Sequence, residues 1–159
     1  MFEIKKIEKI DQDCVRVIRD SFITVANEFN LTKENAPTNP AFIEMETLQA
    51  IKQQGIEMYG AYIDNNIIGF VAIEKSSEDL YYMEKLAVLP EYRHKGYGAR
   101  LIDFVVETVK KAGGKKISIG IINENKVLKD WYIRNGFSVT GIKKFSHLPF
   151  NVCFLERAV

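Results

Sequence analysis

The period of apolar and polar residues changes several times along this chain. Apolar and charged residues alternate over residues 2–7, which predicts a half-buried first strand. Asp11 then precedes an apolar series spaced three and four residues apart, which predicts a capped helix ending near Asn30. Prolines and asparagines indicate a loop over residues 32–40. We expect a second helix over residues 41–54.

The middle of the chain has the pattern of consecutive strands. Residues 56–63 and 67–74 flank the turn sequence Asp64-Asn65-Asn66, which predicts a hairpin. Residues 80–89 predict a third strand after a short polar connection. Three consecutive antiparallel strands are therefore expected here.

Helical spacing returns after residue 98. An apolar face recurs every three or four residues until Gly113-Gly114, which ends the helix. Residues 116–122 are mostly apolar and predict an interior strand. Asn123 or Asn125 caps a short helix. Its inward positions are predicted to be Val127, Leu128 and Trp131.

Two final strands, over about residues 137–145 and 150–156, complete the series. The element order predicts a mixed α+β domain with a central, mostly antiparallel sheet of six or seven strands and about four helices. A β-α-β crossover lies in its middle. At 159 residues and 18.2 kDa, we expect residues 1–159 to form one domain.

Composition excludes several function classes. The 22 basic and 21 acidic side chains leave a formal charge of +1, which favours neither nucleic acid nor an anionic membrane as a partner. No apolar run is long enough to span a bilayer, so a soluble cytoplasmic protein is expected. Cys14, Cys153 and two histidines lack metal-ligand spacing, so no metal site is expected. A Cys153–His147 nucleophile pair is less favoured than a buried, inert thiol.

Three basic residues and two glycines, Arg93 to Gly98 (RHKGYG), separate the third of those strands from the next helix. A helix N-terminus carries unpaired N–H groups, and glycines let an anion approach them. A pyrophosphate fits this spacing, whereas the Gly-Lys-Ser/Thr of a P-loop and the Gly-x-Gly-x-x-Gly of a dinucleotide fold are absent. The alternative is a turn that merely reverses the chain, with solvated basic side chains.

Two segments together resemble the GCN5-related N-acetyltransferase (GNAT) superfamily. EKLAVLPEYRHKGYGARLI is similar to its cofactor motif, and INENKVLKDWYIRNGF to the signature that follows, with an asparagine seven residues before a tyrosine. The resemblance covers residues 82–141 in motif and the whole chain in element order. It implies the GNAT acyl-CoA N-acyltransferase fold, acetyl-CoA as cofactor, and CoA as product.

The resemblance also implies roles for individual residues. Pantetheine would lie between the splayed fourth and fifth strands, the basic-glycine turn would hold the pyrophosphate, and Asn125 would bind the cofactor. The residues implied to contact it are Leu86, Ala87, Val88, Arg93, His94, Lys95, Gly96, Tyr97, Gly98, Ala99, Asn125, Lys126 and Tyr132.

Catalysis would need a base for the acceptor ammonium and an acid for the departing thiolate. Glu84 is the candidate base, because partial burial two residues before Leu86 would raise its pKa. A surface glutamate paired with Lys85 is the alternative. Tyr132 is implied as the acid, and ring packing beneath the last strands is its alternative role.

The acceptor is expected to be a small-molecule amine or a peptide amine. By the resemblance, it would enter between the loops at residues 30–42 and 146–149. The final strands leave a homodimer open. A non-catalytic acyl-CoA sensor or interaction module on the same fold is the alternative function, and an unrelated α+β scaffold is the third.

Overall fold

One mixed sheet of seven strands organises the computed structural model, which describes residues 1–159. The strands are β1 (Phe2–Lys6), β2 (Glu57–Ile63), β3 (Asn66–Lys75), β4 (Leu80–Val88), β5 (Lys116–Ile122), β6 (Ser138–Lys144) and β7 (Asn151–Ala158). The α-helices are α1 (Gln12–Glu28), α2 (Met45–Gln53), α3 (Tyr97–Lys111) and α4 (Lys126–Arg134).

The strand order is β1-β2-β3-β4-β5-β7-β6, and only the β4–β5 pair is parallel. Helix α3 makes the crossover between those two strands. The predicted fold class, the hairpin and the β-α-β unit are therefore confirmed. A parallel pair needs a crossover of this kind, because its two strands cannot be joined by a tight turn.

Local chemistry explains several boundaries. Asp11 caps α1 through a hydrogen bond from the Cys14 N–H to its carboxylate, at 3.0 Å. Asp64 and Asn65 both have positive φ, which the turn of the β2–β3 hairpin requires and which these two residue types tolerate. These short-range interactions are why the sequence predicted these boundaries well.

Helices α1 and α3 both pack on β3 and β4. Residues 67–73 of β3 are all buried, as expected of a strand covered on both faces, so the two helices lie on opposite sides of the sheet. The C-terminal end of β4 lies beside the start of α3, where a Cβ at Gly98 would lie 4.0 Å from the Val88 side chain. None of the helices has the length and apolarity needed to cross a bilayer.

The second helix begins later than predicted. Residues 40–42 form a 3₁₀ turn and Ile43 is extended (φ −64°, ψ 139°), so α2 starts at Met45. The Arg19 guanidinium of α1 donates to the Ile43 carbonyl, which holds that residue outside the helix. This contact spans 24 residues of sequence, so the local pattern did not indicate it.

The predicted inward face of α4 was also partly wrong. Val127 is 82% exposed, whereas Tyr132 is buried. Leu128 and Trp131 are half-buried, as predicted for an inward face. The helix starts at its Asn125 cap, which places Val127 in the first turn on the solvent side.

Candidate functional site

Strands β4 and β5 separate soon after they meet. They pair only where Leu80–Tyr82 lie opposite Lys116–Ser118. Strand β5 continues beside β7 to Ile122, and β4 continues beside β3 to Val88. The edge of β4 that faces β5 is therefore unpaired over residues 83–88, and the two strands border an open gap.

A bulge in β4 sets the direction of the backbone groups at this gap. Lys85 has φ 54°, in the left-handed region that β-strand residues rarely adopt, and the pairing with β3 shifts there. Beyond the bulge, the Leu89 N–H donates to the Ile68 carbonyl of β3 at 2.9 Å. Strand alternation then directs the backbone groups of Leu86 and Val88 into the gap.

The turn that follows β4 presents a continuous row of free N–H groups. The Arg93 N–H donates to the Pro90 carbonyl (3.2 Å) and the Arg100 N–H to the Gly96 carbonyl (3.1 Å), but none of residues 94–99 donates to a protein acceptor. Gly96 has φ 85°, and a side chain there would meet nothing within 4 Å. This row leads into the N-terminus of α3, where the helix dipole favours an anion.

Aromatic packing holds the first turn of α3. The rings of Phe2 and Tyr97 stack at 5.0 Å with an interplanar angle of 7°, and the Arg100 guanidinium lies 4.1 Å from the Phe2 ring centroid. A Cβ at Gly98 would lie 3.0 Å from the Trp131 ring of α4. Glycine at residue 98 therefore lets α3 and α4 approach each other without displacing the Trp131 ring.

Arg93 does not have the arrangement that was predicted for a pyrophosphate ligand. Its backbone N–H is already bonded within the turn, and its guanidinium points to α1. It donates to the Val88 carbonyl (3.1 Å), the Thr24 hydroxyl (3.1 Å) and the Ser21 carbonyl (2.7 Å). His94 and Lys95 are exposed beside the free N–H row.

Tyr132 is only 6% exposed and packs edge-on against Trp131 and Phe137, at 4.9 and 5.4 Å. Its hydroxyl has no protein hydrogen-bond partner. Ser21 Oγ is the only side-chain nitrogen or oxygen that is both fully buried and unpaired, so the Tyr132 hydroxyl is accessible to solvent. Burial raises the pKa of the Tyr132 phenol, so it keeps its proton at neutral pH. Through Trp131 it adjoins the first turn of α3.

The Asn125 side chain caps α4 with its oxygen and leaves its nitrogen without a protein partner. Its Oδ1 accepts from the Leu128 N–H at 3.2 Å and so caps α4. Its Nδ2 donates to no protein group and reaches solvent. Lys126 is exposed at the same helix end, and Lys129 is bound to the Asn123 side chain at 2.6 Å.

A cavity of about 520 Å³ lies where β4 and β5 begin to separate. Its lining includes two carboxylates, Glu84 and Glu156, and no basic side chain. The lining residues are Leu80, Tyr82, Met83, Glu84, Ser118, Ile119, Gly120, Thr140, Gly141, Phe154 and Glu156. Glu156 also pairs with Lys116, which lies outside the lining, at 3.7 Å. The lining itself is acidic and so suits a cationic group better than an anionic one.

The environment of Glu84 raises its pKa to about 7. Burial contributes most, followed by a hydrogen bond that the protonated Glu84 carboxyl donates to the carboxylate of Glu74 on β3 and by the charge of Glu74, while Lys85 acts in the opposite direction. Sequence reasoning missed Glu74, because only the β3–β4 register, with Ala72 opposite Glu84, brings the two glutamates together.

The two loops predicted to flank the acceptor converge. Leu31, Ala36 and Ala41, from the connection between α1 and α2, form a small buried cluster with Ile122 at the end of β5. Phe150, the last residue of the β6–β7 connection, packs against the same cluster. These loops therefore lie together at the wide end of the gap.

Comparison with known proteins agrees with this geometry. The model of the Acetyltransferase (GNAT) family matches residues 22–137, which contain both β4 and the turn after it. The chain belongs to the GNAT acetyltransferase family. Recognition from the two sequence motifs is thereby confirmed.

Similar proteins vary in their names and in the extent of the match. Spermidine N(1)-acetyltransferase of Thermoplasma acidophilum is 28% identical over 94 residues, which are 59% of this chain and 58% of that protein. The match with this chain covers between 11% and 58% of the length of these curated relatives.

Solved GNAT structures share the fold over nearly the whole chain. The PaiA N-acetyltransferase of T. acidophilum in complex with coenzyme A has a TM-score of 0.83 at 22% identity, and covers 100% of this chain and 99% of its own. A GNAT acetyltransferase of Elizabethkingia anophelis with acetyl-CoA bound has a TM-score of 0.71 at 17% identity, covering 99% and 98%. At these identities the likeness establishes the fold.

Proposed function

We propose that residues 1–159 form a single catalytic domain that transfers an acetyl group from acetyl-CoA to an amine. One observation carries the proposal: the free N–H groups of residues 94–99 continue into the unpaired edge of β4, which leads to the cavity containing Glu84. An anion-binding turn, a strand edge and a carboxylate thus follow one another along a single path.

The residues present fit acetyl-CoA as a substrate. The N–H groups of residues 94–99 would hold its pyrophosphate, and the backbone groups of Leu86 together with the Val88 N–H its pantetheine arm. The free Nδ2 of Asn125 is a further donor, and Lys126 supplies a positive charge near the same helix end. When bound, this substrate supplies an acetyl group activated as a thioester.

Glu84 and Tyr132 then divide the proton transfers. The acceptor ammonium loses one proton to Glu84, which passes it to solvent. The freed nitrogen forms a bond to the acetyl carbon while the carbon–sulfur bond breaks, and its second proton also leaves to solvent. Tyr132 donates its phenolic proton to the sulfur and regains one from solvent. The products are an amide and CoA.

We also propose that the acceptor is a polyamine or a similar cationic amine. The cavity lining holds two carboxylates and no basic side chain, and one relative is named for spermidine acetylation. Glu156→Gln should raise the KM of spermidine severalfold. It should leave unchanged the KM of a monoamine that carries no second charged group. Glu78→Gln, at an exposed position, is the matched control. Equal effects on both acceptors would contradict this substrate class.

Thermal unfolding with acetyl-CoA, CoA, ATP and NAD tests the donor. A ligand at a hundredfold its Kd adds about 2.7 kcal/mol of stability, so acetyl-CoA and CoA should raise the Tm clearly and ATP and NAD much less. Gly96→Glu should abolish the shift. Gly113→Glu is the control, because Gly113 at the other end of α3 also has positive φ and open surroundings. If neither CoA compound shifts the Tm, the proposal is wrong.

Release of free thiol separates an enzyme from a non-catalytic acyl-CoA module. With acetyl-CoA and a panel of amines, an enzyme produces CoA in proportion to the acetylated acceptor. Stabilisation by CoA without thiol release for any amine would favour the module.

A further inference from the structure

Arg93 is a half-buried cation that forms no ion pair with a carboxylate, although it lies at the junction of β4 and the anion-binding turn. We propose that Arg93 is a positioning residue: its guanidinium ties the turn of residues 94–99 to helix α1 and so keeps the free N–H groups in their binding arrangement. This inference rests on the proposed use of acetyl-CoA.

The contacts of Arg93 form a closed network across three elements. Its Nε donates to the Val88 carbonyl, Nη1 to Thr24 Oγ1 and Nη2 to the Ser21 carbonyl. Thr24 Oγ1 itself donates to the Ser21 carbonyl at 3.1 Å. Only a planar guanidinium presents donors in this fork, so lysine cannot reproduce the geometry.

The turn benefits from such a contact because, apart from the packing of Tyr97 on Phe2, little fixes its backbone. Residues 94–99 donate to no protein acceptor, and Gly96 and Gly98 add backbone freedom. A turn free to sample other conformations would have to be ordered on binding, and the apparent affinity would fall in proportion to the fraction of molecules that hold the binding-competent conformation. Attachment to α1 removes that cost before the ligand arrives.

Helix α1 is a suitable anchor for a second reason. Its C-terminal end, close to Thr24, continues into the connection at residues 30–42, which lies at the wide end of the gap. One arginine therefore joins the helix leading to the acceptor side with the turn on the donor side. The contact spans 69 residues of sequence at Thr24 and 72 at Ser21.

Thr24→Val is the decisive variant, since it removes a partner of Arg93 on an exposed helix surface and leaves the turn and its charge unaltered. Loss of one hydrogen bond to a charged group should raise the Kd of CoA, measured by calorimetry, at least about threefold. The KM of acetyl-CoA should rise by the same factor with kcat within twofold. Thr108→Val is the matched control, because its hydroxyl bonds only the Phe104 carbonyl of its own helix.

Arg93→Lys should raise the Kd of CoA about tenfold, and the double variant should bind no more weakly than Arg93→Lys alone, because both changes break one network. A Kd unchanged by Thr24→Val, with Arg93→Lys still weak, would show a direct phosphate contact and overturn the positioning role. Multiplying effects in the double variant would also overturn it.

If the parent protein binds no CoA, both this inference and the proposed function fail. If the parent binds CoA and Thr24→Val leaves the Kd unchanged, only this inference fails.

Discussion

Glu74→Gln should move the acidic limb of the pH–rate profile to lower pH. The carboxyl of Glu74 helps to raise the pKa of Glu84 to about 7, both by hydrogen bonding to the protonated form and by its charge. A glutamine there removes the charge and can donate to the ionised form, so the pKa of Glu84 should fall by about one unit. At pH 6 the ionised fraction of Glu84 would then rise from roughly 10% to roughly 50%, and kcat/KM about fivefold.

The assay is kcat/KM for one acceptor between pH 5 and 9, so that the acceptor's own ionisation is the same for each variant. Glu78→Gln removes the same charge from a side chain that is 92% exposed and paired with Lys75, and should leave the limb in place. Glu84→Gln should abolish the limb along with most of the activity. A limb that Glu74→Gln leaves unchanged, or that Glu78→Gln moves equally, would refute Glu84 as the base whose ionisation is observed.

Stability gives a second readout with a definite sign. The pKa of Glu84 is raised from 4.5 to about 7, so the folded protein holds this proton more tightly than the unfolded chain. Between those pH values stability falls as pH rises, and above pH 7 the cost is fully present. The difference corresponds to about 3 kcal/mol, which partial exposure reduces to roughly 1–2 kcal/mol. Glu84→Gln should therefore be more stable than the parent at pH 8 and equal to it at pH 4.

Three further substitutions test the site. Gly98→Ala should weaken CoA binding and lower the free energy of unfolding by about 1 kcal/mol, because its Cβ would crowd Trp131; calorimetry and urea titration measure both. Tyr132→Phe should lower kcat about a hundredfold while the Tm stays close to the parent value, and an unchanged kcat would remove the acid role. Asn125→Ala should cost about 1 kcal/mol in urea by exposing the Leu128 N–H, whereas Asn125→Ser should keep the cap.

Local features of this fold were predictable because their causes lie within a few residues. The cap at Asp11, the strand at residues 116–122 and the glycine end of α3 agree with the sequence pattern. The register of β3 and β4 has no such local signal, so the bulge at Lys85 appears only in the folded protein. The part of the candidate site formed by one continuous segment, the turn of residues 94–99, could be predicted from the sequence.

The sequence alone determined which segments become strands and helices, that a basic-glycine turn precedes α3, and which family the chain resembles, because periodicity, capping and motif spacing are properties of neighbouring residues. Tertiary structure decided that Glu74 meets Glu84 and that the Arg93 side chain faces α1. Those partners are far apart in sequence, and only strand register and helix packing bring them within hydrogen-bonding distance. The same packing sets the pKa of Glu84, because burial and a neighbouring carboxyl act only over a few ångströms.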